Sequence, residues 1–547
     1  MAPQEYKLKN ITSLEGLAPS AKQEVEVEGI EGGRVLLVNA AGTIQALGSK
    51  CTHYGGPLAK GVLTKSGRLT CPWHGACFNA KTGDIEDAPA LNSLPVFKTT
   101  ERDGAVYITG EESAIKSARR TPNFKCAGSG TGEGHVVVVG GGSGAIGLVE
   151  GLREKGYAGG LTVITNEGYL PVDRPKVSKA LIADPAKLAL RDKAWFESGS
   201  VDWVDGEVVG VDVSERNVTT KAGDKISYTK LVLATGGVPR KLPLQGFTVL
   251  DNIFTLRSVH DAKKIVEAVG EKGKKVVVIG SSFIGLEVAL ALSSDNSVSV
   301  VGMEKVPLAP VLGEQVGAGI QKVVEGKGIK FYLGAGVDKA EPLGSDQSKV
   351  GAVVLQDGTR LEADLVILGV GVSPATEFLR DNKVLRLEPD GSLKTDETFS
   401  VVGVKDVYAI GDISTFPYHG PGGEGKDTRI EHWSVAQNSG RAVAAHIVNA
   451  SLTPSPQFIP VFWSALGAQM RYCGNTAGGY DHVIVDGNPA EASFVAYYTQ
   501  GETAVAVASM GRDPLVMQSA DLMRTGTMPT RSQLEENPDV MAVGIPA

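Results

Sequence analysis

The sequence predicts a multidomain chain: a small all-β module, two interleaved α/β nucleotide-binding units, and a C-terminal α/β segment. Three observations carry this expectation. The chain has 547 residues, several times the roughly 100 to 200 that one domain uses. Residues 25–108 show short β-like runs between glycine-containing turns, with little helical periodicity. A strand, glycine turn, amphipathic helix, strand pattern then occurs twice, at residues 135–165 and 275–301. That pattern builds parallel sheets with a ligand at the helix N-terminus.

Composition excludes several classes. Hydrophobic residues make up 42% and charged residues 21%, as in an ordinary globular protein. No apolar run reaches the ~18 residues of a membrane span, so none is expected. The 69 glycines amount to about one residue in eight, well above the usual ~7%, and call for many close backbone approaches. A net charge of −8 without a dense basic run argues against nucleic-acid binding. Five scattered cysteines do not make a disulfide scaffold. The N-terminal residues 1–10 lack both an apolar signal core and an Arg-rich amphipathic pattern, so a cytoplasmic location is expected.

Taken in order, residues 1–110 form the β module. Residues 111–134 read as a linker, ending in Gly128-Ser-Gly-Thr-Gly-Glu-Gly134. Residues 135–255 and 385–450 form the first nucleotide unit and residues 256–384 the second. Residues 451–547, entered through Thr453-Pro-Ser-Pro456, form the last.

In the β module, Cys51-Thr-His53 and Cys71-Pro-Trp-His74 each offer one thiolate and one imidazole. Two Cys on one iron and two His on the other is the Rieske arrangement. A Cys2His2 zinc site is the competing reading, but zinc fingers pair Cys with Cys and His with His in their local spacings. The flanking residues, Cys51-Thr-His-Tyr-Gly-Gly-Pro-Leu58 and Cys71-Pro-Trp-His-Gly-Ala-Cys-Phe-Asn79, resemble Rieske ferredoxins. The loops lack the second cysteines and the hydroxyls that respiratory Rieske domains carry, which predicts a low-potential [2Fe-2S] cluster. Cys77 reads as a packed side chain.

The first nucleotide unit opens with Val136-Val-Val-Val-Gly-Gly-Gly142, a Rossmann-like fingerprint with Gly140 and Gly142 in the G-x-G positions and Ala145 in the third. Glycine is needed where backbone N–H groups meet a pyrophosphate at a helix N-terminus. Glu167 falls near the position of a ribose-binding acid. Three further segments are Tyr169-Leu-Pro-Val-Asp-Arg-Pro-Lys-Val-Ser-Lys179, Ala234-Thr-Gly-Gly-Val-Pro-Arg240 and Val407-Tyr-Ala-Ile-Gly-Asp412. Together they resemble the FAD-dependent pyridine-nucleotide reductases over residues 136–448. The resemblance implies FAD contacts from Ala234, from Asp412 at the ribityl chain, from Arg174 and Lys179 beside the flavin ring, and from Glu431, His432 and Trp433.

The second unit reads Lys275-Val-Val-Val-Ile-Gly-Ser-Ser-Phe-Ile-Gly-Leu-Glu287, with Gly280, Ser282 and Gly285 in the fingerprint positions. Serine replaces the second glycine, and Gly302 stands where NAD enzymes place an acid, with Glu304 and Lys305 just after. NAD(P)H is implied, with NADH favoured mildly; Glu304 and Gly371 join the expected nicotinamide-nucleotide contacts. By the same resemblance, Glu287 faces the nicotinamide and pairs with Lys179 as the catalytic couple. No cysteine lies between Cys126 and Cys473, which excludes a redox disulfide beside the flavin.

With Phe462-Trp-Ser464 and Arg471-Tyr472 resembling the reductases' C-terminal interface domain, the chain resembles the apoptosis-inducing-factor-like branch. What the resemblance implies is an electron-transfer reductase: NAD(P)H gives a hydride to FAD, and electrons pass singly to the cluster and on to an unidentified acceptor. One rival is the fused reductase and ferredoxin arm of an oxygenase system. Another is an apoptosis-related DNA-binding protein, which the charge balance opposes. The sequence leaves the oligomeric state open.

Overall fold

The computed structural model describes residues 3–40, 42–122, 124, 134–451 and 458–546. Its β module carries a six-stranded antiparallel sheet and a smaller four-stranded one. Both expected ligand pairs sit on loops at the small sheet's end of the module. Cys51 and His53 follow the strand Thr43–Gly48, and Cys71 and His74 fill the turn between the strands Arg68–Thr70 and Cys77–Asn79. Short strands with tight turns suit this role, because backbone pairing fixes the loop ends while the loop apex stays free to present donors.

The expected linker differs from the structure at its start. Residues Glu112–Ser117 form a helix, and Ile115 buries itself among Leu8, Val25 and Phe97 of the module. Ser93 and Arg120 then pair as a β-bridge. One apolar side chain and a backbone pairing are enough to hold this charged segment against the module. The Gly/Ser-rich residues 125–133 lie outside the described residues.

Both nucleotide units are parallel five-stranded sheets. The central strands His135–Val139 and Lys275–Ile279 carry near-continuous valine runs, as strands buried on both faces must. Two domain boundaries move. Strand Ile253–Thr255 pairs with Leu365–Leu368 and so belongs to the second sheet, not the first. Past residue 371 the chain returns to the first unit: Val372–Pro374 pairs with Gly237–Pro239, and Leu379 and Leu385 pack in the first unit's core. Neither shift has a local signal, since a strand's partner is a tertiary fact.

Helix Ser143–Glu154 crosses helix Trp433–Val448 at backbone contact. A Cβ on Gly147 would stand 2.3 Å from the Gln437 carbonyl, and one on Gly440 would stand 2.2 Å from the Gly144 carbonyl. This crossing brings the N-termini of both helices to the same cavity. The C-terminal segment forms a five-stranded antiparallel sheet and two helices, Leu515–Arg524 and Arg531–Glu536. Among the described residues no helix is long and apolar enough to cross a membrane.

Candidate functional site

A cavity of about 1220 Å³ runs between the two nucleotide units and the C-terminal sheet. At its first end, Gly140 takes φ +112° as the chain leaves strand His135–Val139, and a Cβ there would stand 2.2 Å from the Ala234 carbonyl. Gly142 is the N-cap of helix Ser143–Glu154 and has no atom within 4 Å of where a Cβ would be, so it opens onto the cavity. A helix N-terminus bared in this way suits a pyrophosphate. Ala145 is fully buried and does not line the cavity; it packs helix against strand.

Glu167 and Arg174 both line the cavity but also hold each other: both carboxylate oxygens accept from Arg174 Nη2 at 2.8 Å. Arg174 Nη1 donates to the Arg257 carbonyl at 2.7 Å, and Arg257 in turn donates to Asp412 at 2.7 Å. Arg257 was not anticipated; it precedes a helix cap, and no motif marks it. Glu431 is ion-paired with Arg429, while His432 occupies the N-cap position of helix Trp433–Val448 without a capping hydrogen bond from its side chain. The buried His432 Nδ1 lacks a hydrogen-bond partner within the protein, and burial pushes its pKa down to about 4. A neutral imidazole at the cavity wall and a glycine-lined helix end fit a flavin dinucleotide.

Lys179 and Glu287 meet at 2.9 Å. Glu287, 4% exposed, also accepts from Ser178 Oγ at 2.5 Å and Ser464 Oγ at 2.6 Å. One carboxylate thus ties the first unit, the second unit and the C-terminal sheet together. A buried carboxylate survives because both of its oxygens find donors and a cation stands beside it.

Ser282 and Gly371 line the cavity, whereas Gly280, Gly285 and Glu304 do not. Gly280 and Gly285 serve close packing: a Cβ on either would stand within 2.3 Å of a backbone carbonyl. Ser282 Oγ caps its helix by accepting from the Gly285 N–H and donates to the Gly369 carbonyl at 2.8 Å, which accounts for serine at the second-glycine position. Glu304 accepts from Ser281 Oγ at 2.9 Å, held by its own loop.

The two imidazoles of the β module converge, with His53 Nδ1 and His74 Nδ1 3.1 Å apart. Burial holds both neutral, pushing His53 down to about 3 and His74 to about 2. Cys51 and Cys71 are buried and hydrogen-bonded to each other; this bond and burial push the Cys51 thiol up. Gly56 makes room, since a Cβ there would stand 2.8 Å from Cys71 Sγ. No three His, Cys, Asp or Glu side chains converge on one point among the described residues. That is compatible with a cluster in which each iron takes only two protein ligands, and the donor set of two thiols and two neutral imidazoles fits it. The Tyr54 hydroxyl donates to Asp173 and the Thr52 hydroxyl to the Asn92 carbonyl, and Cys77 packs against Thr70.

The module is docked with its histidines toward the cavity. The ring centroid of Trp463, which lines the cavity, lies 4.4 Å from that of His74 and 5.4 Å from that of His53. Tyr54 stacks on His53 at 3.6 Å and reaches Asp173 of the first unit at 2.5 Å, while Lys176 Nζ sits 4.4 Å over the Tyr54 ring. Arg191 donates to Asn92 Oδ1 and the Leu91 carbonyl, and Thr70 Oγ1 donates to Asp521. None of these joins has a signal in sequence spacing.

Residues 7–98 match the family of the Rieske [2Fe-2S] domain, residues 134–440 the pyridine nucleotide-disulphide oxidoreductases, and residues 461–541 the reductase C-terminal family. Apoptosis-inducing factor 3 of Homo sapiens is 37% identical over 541 residues, covering 98% of this chain and 87% of the relative. The crystal structure of a covalent putidaredoxin reductase–putidaredoxin complex aligns with TM-score 0.69 at 28% identity, over 76% of this chain and 99% of that one. A ferredoxin reductase for the CYP199A2 system from Rhodopseudomonas palustris aligns with TM-score 0.69 at 27% identity, over 75% and 99%. Despite the family's title, this chain has no cysteine between 126 and 473. The chain therefore belongs to the pyridine nucleotide-disulphide oxidoreductases and is an apoptosis-inducing factor 3-like, NAD(P)H-dependent flavoprotein with its own Rieske [2Fe-2S] domain.

Proposed function

We propose that the protein passes electrons from NAD(P)H through FAD to its own Rieske cluster and on to an external acceptor. The observation that carries this is Trp463, whose indole is shared between the flavin cavity and both ligand histidines. When bound, FAD accepts a hydride and releases electrons one at a time, which a [2Fe-2S] cluster can take. Within this reading Gly140 and Gly142 admit the pyrophosphate, while Asp412, positioned by Arg257, meets the ribityl chain. The Lys179–Glu287 pair fixes where nicotinamide and flavin meet. The N-terminus of helix Trp433–Val448 directs its positive end at the flavin ring. Ser282 and Gly371 border the nicotinamide side, with NADH favoured mildly over NADPH.

The acceptor distinguishes this reading from the oxygenase-system arm, which the likeness to ferredoxin reductases supports. The test is rapid mixing of NADH with His53→Ala and Cys71→Ser proteins. Their flavin should still bleach, while electron delivery to a protein acceptor falls away. Wild-type delivery by these variants would take the cluster off the path.

A further inference from the structure

The docked module sits among cations supplied by the reductase part of the chain, and these are not equally neutralised. Lys176 is paired with Asp173 at 2.9 Å and Lys179 with Glu287 at 2.9 Å, each carboxylate being buried. Arg471 differs. It is 4% exposed, its nearest carboxylate is Asp513 at 3.6 Å, and its Nε lacks a hydrogen-bond partner. Its remaining contacts are 3.3 Å bonds from Nη1 to the Met470 carbonyl and to Gln469 Oε1. A buried guanidinium held so loosely is costly unless another negative group shares its field.

The sheet shows where that field points. Arg471 is the direct cross-strand partner of Trp463, so both side chains leave the same face, the face whose indole touches His74. The same face receives the second ligand loop, since a Cβ on Gly75 would stand 3.0 Å from Val461 Cγ1. Arg471 therefore stands beside Trp463 on the face that the module's second ligand loop covers.

We propose that Arg471 sets the potential of the cluster, as a cation that the C-terminal domain brings to the docked module and that favours the reduced state. This rests on the electron-transfer reading above. The charge balance is simple. Two ferric ions, two sulfides, two thiolates and two neutral imidazoles sum to zero; one electron converts one iron to ferrous and leaves a net charge of −1, with no proton moved. A fixed positive charge in a low-dielectric setting stabilises only the second state. Docking therefore biases the electron toward the cluster, and Arg471 is a positioning residue that touches neither flavin nor nicotinamide.

The test is a redox titration of the full chain, following the cluster by its EPR signal and the flavin by absorbance, in wild type, Arg471→Gln, Arg471→Lys and Asp513→Asn proteins. Arg471→Gln should lower the equilibrium constant for cluster reduction about tenfold, ~59 mV for a one-electron couple, with the flavin midpoint unmoved. Arg471→Lys should stay near wild type, and Asp513→Asn should shift the cluster the opposite way. A loaded Arg471→Gln protein with the wild-type cluster potential overturns the proposal. If that variant fails to fold or to hold the cluster, Asp513→Asn decides: a raised potential supports the proposal and an unmoved one overturns it. A wild-type cluster that NADH cannot reduce, yet whose dithionite-titrated potential follows Arg471, would sink the electron path and leave this inference standing.

Discussion

The indole of Trp463 and the imidazole of His74 stand with ring centroids 4.4 Å apart, one belonging to the reductase's C-terminal sheet and the other to the Rieske module. Trp463 also lines the large cavity, so one aromatic side chain touches both that cavity and a histidine of the Rieske module.

Replacing Trp463 by leucine should separate the two half-reactions. Flavin bleaching by NADH should stay within about twofold of wild type, because Lys179 and Glu287 are untouched. Cluster reduction should slow by about tenfold or more. Single-turnover mixing with detection at flavin and cluster wavelengths checks this, and equal cluster rates would remove Trp463 from the path.

The Lys179–Glu287 pair should respond in a graded way. Glu287→Gln keeps an acceptor for Ser464 and Ser178 but loses the charge facing Lys179, so flavin reduction should slow by roughly ten- to a hundredfold with the fold intact. Glu287→Ala removes the partner of Lys179, of the buried Ser464 hydroxyl and of the half-buried Ser178 hydroxyl, and should also cost about 3–5 kcal/mol of stability. Stopped-flow bleaching and thermal melting report the two effects separately.

Gly140→Ala tests the cradle. The residue would have to hold φ +112° with its Cβ 2.2 Å from the Ala234 carbonyl. Strain and overpacking of this kind each cost on the order of 1–3 kcal/mol. The variant should lose bound FAD and melt at lower temperature while the Rieske absorbance remains; full flavin retention would contradict the role given to this turn.

Glu150 gives the chain a pH dependence near neutrality. It is fully buried, pairs with Arg191 at 2.9 Å and leaves Oε2 without a partner, so burial outweighs the arginines and pushes its pKa up to about 7. The unfolded value is about 4.3. Between these values the folded state holds a proton that the unfolded state has lost, so stability falls as pH rises from about 4.3 to about 7 and then levels off. At about 1.4 kcal/mol per pKa unit the loss is on the order of 4 kcal/mol. Glu150→Gln should flatten this slope in denaturant titrations at pH 5.5 and 8; an unchanged slope would assign it elsewhere.

Cofactor preference is expected to be mild. Glu304 is held by Ser281, and the exposed Lys305 lies 3.6 Å from Glu314, so neither group is set to choose strongly. A comparison of kcat/KM should show NADH ahead; an NADPH preference above about tenfold, ~1.4 kcal/mol, would reverse this reading.

Sequence alone determined the parts whose chemistry is local. The meeting of Cys51 with Cys71 and of His53 with His74 was foreshadowed by donor types at short spacing on two loops. The strand-to-helix turn at Gly140 was legible because its positive φ and the nearby Ala234 carbonyl leave no room for a Cβ, and the valine runs at 136–139 and 276–278 because doubly covered strands exclude polar residues. Tertiary structure decided everything that depends on distant segments meeting. Arg257 finds Asp412, Tyr54 finds Asp173, and Ser464 reaches Glu287 across 177 residues. Strand Ile253–Thr255 changes sheets because its partner lies at 365–368. Trp463 was visible only as part of a resembling segment. Its place between cavity and cluster arises from how one antiparallel sheet packs against a separate β module, and packing between surfaces leaves no periodicity in the chain that forms them.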